Sequence, residues 1–467
     1  MPSLLRKSLS VSFPVSSSGV AAVSVPSRAA WLACLLAAGA LAPTACADLE
    51  EDAAVVETDP PVDDGEVIVQ AGEPSLAASQ PDAAPSAACT VAVTPASQLM
   101  ITALPVVNDP VRTKWTGSVT SASDGAWHFG RLMTQMAGAN DPTTFVRSWL
   151  AQWESTVGVN GWGVPARPAI ASQVLASWPK TAAGKLDLTK APMRLLAIVN
   201  RFDLRSAGNA GEGRFIFGVL GQGGVALPFT VILEYKLPAA SAAEVKAWAH
   251  LWRDLGATTV GSAAYRAQLQ AITDKFARKG AAPGRINGSA ISQVRTNENA
   301  LNPIWELREF RLTTAGQLRM VAPALTPADS TPNFNNTATL ATFMNQNAAA
   351  IKAQTHTVPT TFGGALFSSG RVLNRIDFWN APGITDSTLR HRFSINTCDG
   401  CHGEETATPF LHVSPRGATE TAPLSAFLTG TTVPDPVTGI LDPSTFRTFN
   451  ELASRATVLK TFLCANP

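Results

Sequence analysis

Residues 47–88 carry eleven acidic side chains, no basic side chain and no aromatic ring, and this acidic segment limits what the chain can fold into. It is rich in Ala, Pro and Ser, so it cannot bury enough apolar surface to offset the entropy of the chain. We therefore expect a disordered tether whose charges repel one another. The folded protein must then be built from Cys89 onward, a length that fits one or two domains.

A leader of the export type precedes the tether. Residues 1–46 contain three bases and no acid, and they include an apolar run over 29–42 that is shorter than the roughly twenty residues of a membrane span. Two interpretations of the cleavage site are retained. Ordinary signal peptidase would accept the small residues around Cys46. In the second, the leader is a lipoprotein signal and Cys46 receives a lipid, although Pro43 stands in place of the usual leucine. The tether favours the lipoprotein, anchored at the outer membrane or held in the periplasm.

Four cysteines, Cys89, Cys398, Cys401 and Cys464, remain after the leader and the tether are set aside. In an oxidising compartment these residues are expected to pair. Cys89 opens the folded region and Cys464 nearly ends it, so we predict a disulfide between them; the alternative is two buried thiols. From Cys89 onward the chain carries 33 basic and 24 acidic residues, and this modest excess is not the signature of a nucleic-acid-binding protein.

The body, 89–385, reads as a mixture of helices and antiparallel strands, which predicts an α+β fold. Segments 215–220 and 229–235 are rich in β-branched and aromatic residues and should form a hairpin. Ser241 and Glu244 form a capping box that starts a helix. Further elements are expected as a helix over 262–280, a strand pair over 304–312 and 317–322, and a helix over 337–354.

Two residue classes stand out in the body. Trp149 and Trp153 are spaced as one buried helical face, which favours core packing over a ligand-binding platform. Charges recur within the predicted strands, and we interpret them as solvent-facing, so we assign them no catalytic role. They lie at Arg201, Asp203, Arg205, Glu212, Arg214, Glu306, Arg308 and Glu309.

The sharpest motif is Cys398-Asp399-Gly400-Cys401-His402. Its Cys-x-x-Cys-His spacing lets two thiols reach the two vinyl groups of one haem, while the adjacent imidazole falls beneath the iron. Over these five residues the chain resembles the c-type cytochromes. The resemblance implies covalent haem c on Cys398 and Cys401, His402 as the proximal iron ligand, and a cytochrome c-like haem-binding segment over 386–467.

The sixth iron ligand is less constrained by the sequence. No Met follows Met344, so a Met-ligated iron is disfavoured. If one helix spans His391 and His402, the two share a face and cannot clasp the iron from opposite sides. We prefer His412, while His356, His128 and an open position remain alternatives.

A haem-free interpretation of the motif also remains. Cys398 and Cys401 could form a disulfide, or they could hold a metal together with His402 and His412. Glu404 and Glu405 would then be ligands or solvated acids. More widely, the segments 195–205 and 396–402 resemble a family of secreted myxobacterial lipoproteins. This second resemblance implies location and architecture but no activity.

Together these features predict an exported c-type haem protein of the cell envelope, with an electron-transfer or redox role and a redox partner that the sequence does not identify. Whether the protein is an enzyme stays open. An open sixth position would permit peroxidase or oxygenase chemistry. A haem-free surface lipoprotein that binds a ligand or partner, with structural cysteines, is the alternative from a different class.

Overall fold

An eight-stranded antiparallel sheet forms the centre of the protein. This computed structural model describes residues 89–206, 208–330, 332–373 and 378–466, so the predicted leader, Cys46 and the tether lie outside the described residues. The strands are β1 Met100–Ile101, β2 Met193–Arg201, β3 Asn209–Leu220, β4 Ala226–Pro238, β5 Ile291–Glu298, β6 Glu306–Leu312, β7 Leu318–Val321 and β8 Val372–Leu373. Their order is β1-β2-β3-β4-β5-β6-β8, and β7 pairs with the other half of β6.

Helices cover both faces of the sheet. The longer ones are α1 Phe129–Met136, α2 Pro142–Leu150, α3 Ala242–Leu255, α4 Ala263–Ala277, α5 Ala338–Gln346, α6 Ser387–Asn396 and α7 Glu451–Ala465. Shorter helices span Pro95–Gln98, Leu104–Val107, Ala348–Lys352, Cys398–Cys401 and Ala426–Thr429. Small hairpins pair Val157–Val159 with Trp162–Val164, Thr361–Phe362 with Ala365–Leu366, and Thr431–Val433 with Arg447–Phe449. The fold is therefore α+β, as predicted.

The first face of the sheet packs on α1 to α4 and holds the largest core. Alternation along β3 and β4 places Phe215, Phe217, Val231 and Leu233 on this face, and all four are buried. Trp149 and Trp153 are fully buried in the same core, with their rings edge to face and the centroids 5.5 Å apart. The prediction that these tryptophans serve core packing is confirmed.

The second face of the sheet is covered by the C-terminal part of the chain. Val413 and Phe427 pack on Leu196, Val199 and Ile216 of the sheet. The chain then returns to the first face, where α7 contributes Leu459 and Leu463 to the large core. A disulfide joins Cys89 to Cys464 on this helix, with the Cα atoms 5.5 Å apart. None of the helices in the described ranges is long and apolar enough to cross a membrane.

The predicted local elements are found with small differences in their bounds. Ser241 caps α3 by accepting from the Glu244 amide, and Ser262 caps α4 by accepting from the Tyr265 amide. The helix expected over 337–354 is interrupted at Asn347, whose side chain donates to the Phe343 carbonyl at 2.9 Å. Such a local bond offers the backbone an alternative to the helical pattern.

Candidate functional site

The two motif cysteines lie on a single helical turn, Cys398–Cys401, directly after α6. Thr397 ends α6 and caps the new turn, because its hydroxyl accepts from the Gly400 amide at 3.1 Å. Only glycine fits at position 400, since a Cβ atom there would lie 2.1 Å from the Ser394 carbonyl oxygen. The turn is thus fixed by its own sequence. Both cysteines are free thiols, which disfavours the alternative of a Cys398–Cys401 disulfide.

His402 follows the turn and is held by its Nδ1 atom. This atom lies 2.6 Å from the Phe410 carbonyl oxygen, and the ring stacks on Trp305 with centroids 5.2 Å apart. Burial lowers the pKa of His402 to about 4, so the ring is neutral at physiological pH. A neutral imidazole whose Nδ1–H donates to a carbonyl has the tautomer in which Nε2 can ligate a metal.

His412 returns to the motif after a loop. Its Nε2 lies 3.4 Å from the Cys401 sulfur and its Nδ1 lies 3.0 Å from the Ser425 hydroxyl. The His402 and His412 ring centroids are 4.4 Å apart. His412 is therefore a close neighbour of His402.

The burial of the thiols also affects their chemistry. Burial raises the pKa of Cys398 to about 11 and raises the pKa of Cys401 further. Both are therefore protonated thiols at neutral pH, not the thiolates that bind metals. Among the residues that the structure describes, no group of three or more His, Cys, Asp or Glu side chains is arranged to hold a metal ion.

A cavity separates the motif from the second face of the sheet. Its enclosed volume is about 130 Å³, below the roughly 300–1,000 Å³ of small-molecule and cofactor sites, so a ligand of haem size requires the cavity to open. The motif side supplies Cys398, Cys401, His402 and His412. The sheet supplies an apolar floor, formed by Val199, Ile216, Ile232 and Leu307. It also supplies a charged margin, formed by Arg201, Arg214, Glu234 and Arg295, and Arg455 of α7 belongs to the same margin.

The charged margin corrects one prediction. We expected the charged strand residues to face solvent, yet Arg201, Glu212, Glu306, Arg308 and Glu309 are all buried. Arg201, Glu212 and Glu309 lie on the second face, which the C-terminal segment covers. Glu306 pairs with Arg167, and Arg308 donates to the Gln152 and Pro165 carbonyls. Buried charges must be paired. The pairs include Arg201–Asp203 at 2.7 Å, Arg214–Glu234 at 3.4 Å, Arg295–Glu309 at 3.1 Å and Arg167–Glu298 at 2.7 Å.

A second buried ion cluster fixes the loop between His402 and His412. Arg390 of α6 donates to both oxygens of Glu405, at 2.7 and 2.9 Å, and to Asp435 at 2.8 Å. His391 Nδ1 lies 2.5 Å from the same Glu405 carboxylate. Glu405 is thus a buried anchor, neither a ligand nor a solvated acid. Its neighbour Glu404 is exposed.

The other candidate iron ligands lie away from the cavity. His391 belongs to the Glu405 cluster, and α6 ends at Asn396, so no single helix spans His391 and His402. His356 packs against Phe393, with centroids 5.9 Å apart. His128 caps α1 by accepting from the Gly130 amide. Neither His356 nor His128 lines the cavity, which leaves His412 as the histidine beside the motif.

Sequence reasoning missed the contribution of Arg295 and Arg455 to this site. Arg295 lies at the centre of β5, and Arg455 lies on the last helix, more than fifty residues beyond the motif. The only sequence signal was the recurrence of charge inside strands, which we interpreted as solvation. Comparison of the chain with protein-family models, with curated proteins and with solved structures finds no match.

Proposed function

We propose that this protein is an exported c-type haem protein with a redox role in the cell envelope. Cys398 and Cys401 would carry the haem through thioethers, and His402 would be the proximal iron ligand. The observation that carries the proposal is the cavity: two free thiols and a neutral imidazole face an apolar floor with a basic margin. A haem has the complementary form, with a flat apolar ring, two vinyl groups and two acidic groups.

The attachment chemistry fits the state of these residues. Each protonated thiol would add across one vinyl C=C bond, with sulfur bonding to the inner carbon and the hydrogen going to the terminal carbon. This addition would consume no oxidant and release no leaving group. The hydrogen bond from His402 Nδ1 to the Phe410 carbonyl orients the imidazole, as it does for ligating histidines in general. The bound haem would supply the one-electron chemistry.

The role of the site depends on His412. If His412 moves away from Cys401 and closes the sixth position, the coordination suits electron transfer. If it stays beside the thioether, the open position permits peroxide or oxygen chemistry. The Nδ1 contact with Ser425 supports ligation, because it orients the ring in the way that the Phe410 carbonyl orients His402. We therefore favour electron transfer with an envelope partner, with the protein anchored through lipid on Cys46.

The test is to express the full chain with its leader in a bacterium competent for cytochrome c maturation. The purified protein is examined for covalent haem by haem stain after denaturing electrophoresis and by its reduced pyridine spectrum. We expect a stained band that is lost in the Cys398→Ala/Cys401→Ala variant. The matched control is Cys89→Ala/Cys464→Ala, which also removes two cysteines and should keep the stain.

Absence of covalent haem in the unaltered chain would refute the proposal. The protein would then be a haem-free ligand-binding protein of the envelope, in which the cysteines have a structural role. Retention of the stain in Cys398→Ala/Cys401→Ala would show attachment elsewhere and would equally refute the assignment of the two thioether residues.

A further inference from the structure

Arg455 is the charged residue of the cavity whose pairing is least complete. It is 7% exposed, and it lines the cavity from α7. Its nearest carboxylate is Glu451, one turn earlier on the same helix, at 3.5 Å. Within the described part of the chain, its buried Nε atom has no hydrogen-bond partner. A guanidinium carries five N–H donors, so most of its capacity is not used by Glu451.

The other arginines of the margin have closer partners. Arg201 donates to Asp203 at 2.7 Å, and Arg214 donates to Glu212 at 2.5 Å. Arg295 has Glu309 at 3.1 Å. These ion pairs leave Arg455 as the position where an additional anion would meet a buried cation.

The charges around Arg455 are mixed. Burial lowers the pKa of Arg455 to about 10; Arg201 and Arg214 also lower it, whereas Asp203 and Glu451 raise it. Asp203 and Glu451 thus offset part of the repulsion between the buried cations, and an additional anion beside Arg455 would offset more of it. Arg201 and Arg455 both line the cavity and also the outer groove beside it, so they stand at the wall between the two.

We propose that Arg455, supported by Arg201, is a carboxylate-binding subsite for the ligand of the cavity. The inference rests on the proposed function: with haem as the ligand, the carboxylate is one of its propionate groups. The ring would lie on the floor of Val199, Ile216, Ile232 and Leu307. One acidic edge would then reach the Arg455 margin while the opposite vinyl groups face Cys398 and Cys401.

The test measures how the haem-free full-length chain binds two porphyrins that differ in whether their two propionate groups are free acids or methyl esters. Ferric protoporphyrin and its dimethyl ester are titrated separately and followed by absorption. We expect the free acid to bind about 10- to 100-fold more tightly, the range for a hydrogen bond between charged groups. Arg455→Gln should clearly reduce this preference, by weakening binding of the acid and leaving binding of the ester unchanged.

Two further variants keep the result interpretable. Arg455→Lys keeps the cation and should retain most of the preference for the free acid. Circular dichroism of both Arg455 variants is compared with that of the unaltered chain to check that they fold. Arg392→Gln removes a cation that lines the outer groove and not the cavity, so its preference should not change. If Arg455→Gln misfolds, a Lys variant that folds and retains the preference supports the subsite, whereas one that folds and loses it refutes the subsite.

The outcomes separate this inference from the proposed function. Binding of both porphyrins with equal affinity in the unaltered chain, or an undiminished preference in Arg455→Gln, would refute the carboxylate subsite and leave the haem proposal intact. Failure to bind either porphyrin would contradict the haem proposal, and the subsite with it.

Discussion

The substitution Glu405→Gln tests whether the buried ion cluster fixes the loop that carries His402 and His412. Glu405 is completely buried and accepts from Arg390 at 2.7 and 2.9 Å. Its Oε1 atom also lies 2.5 Å from His391 Nδ1. Glutamine has nearly the same size, so the change removes the charge with little change in packing.

The expected loss follows from what remains around Arg390. Removing one partner of a buried ion pair typically costs about 3–5 kcal/mol. Arg390 keeps Asp435 at 2.8 Å, so we expect the lower end, about 3 kcal/mol. Unfolding entropy summed over the residues from Cys89 onward is roughly 0.8 kcal/mol/K. The midpoint of thermal unfolding should therefore fall by about 4 °C at pH 7.

The effect should depend on pH in a defined direction. Burial alone would raise the pKa of Glu405, but hydrogen bonds from His391 and Arg390 and the charge of Arg390 outweigh it and hold the pKa below its usual value. A carboxylate with a lowered pKa stabilises the fold above the unfolded value, near 4.3, and loses this contribution as the pH falls through the folded value. The gap between the unaltered protein and Glu405→Gln should thus be complete at pH 7 and shrink below about pH 4.

The assay is thermal unfolding followed by circular dichroism between pH 3 and pH 8. Glu404→Gln is the matched control, because it makes the same change at the adjacent exposed position and should shift the midpoint by less than about 1 °C. Equal midpoints for Glu404→Gln and Glu405→Gln at pH 7, or a gap that does not narrow in acid, would refute the reasoning.

Three other perturbations test the fold and the motif. The disulfide closes a loop of 375 residues, so Cys89→Ala/Cys464→Ala should lower the free energy of unfolding by up to about 5 kcal/mol. An unchanged midpoint of urea unfolding would contradict this. Gly400→Ala should lower the free energy of unfolding by about 2 kcal/mol or more and abolish haem staining. Gly158→Ala is the control: an added Cβ there meets nothing within 4 Å, so neither stability nor staining should change. His412→Ala in the haem form should change the absorption spectrum; an identical spectrum would remove His412 as the sixth ligand.

Local features of the fold could be predicted because their causes lie close together in the sequence. The Ser241 cap and the apolar spacing that follows it were sufficient for α3, since both the hydroxyl and its partner amide lie within one turn. The hairpin of β3 and β4 followed from two β-rich segments around a glycine-rich turn. The Cys398–Cys401 turn was equally local, because its cap and its glycine belong to the motif.

The cavity could not be predicted because its walls come from distant parts of the chain. Arg214 and Arg295 show the same alternation as solvent-facing charges on a half-buried sheet. Arg295 is buried and Arg214 half-buried because residues after Ser387 cover the second face, and nothing in β3 or β5 indicates that cover. The Glu405 cluster was missed for a similar reason, since its partner Arg390 lies on α6, whose apolar residues Leu389 and Phe393 pack on earlier parts of the chain.

The buried charges of the second face argue that this face exists for a ligand. The first face is built mainly from apolar side chains such as Phe215 and Leu233, and its buried ions, Glu306 and Arg308, are closely paired with each other. The second face holds buried ion pairs, which apolar residues of similar volume often replace without loss of stability. Departures from the simplest packing are expected at functional sites. The departure here lies directly beneath Cys398, Cys401 and His402, and its least satisfied member is Arg455. A ligand that is apolar over most of its surface and acidic at one edge accounts for both the floor and the margin.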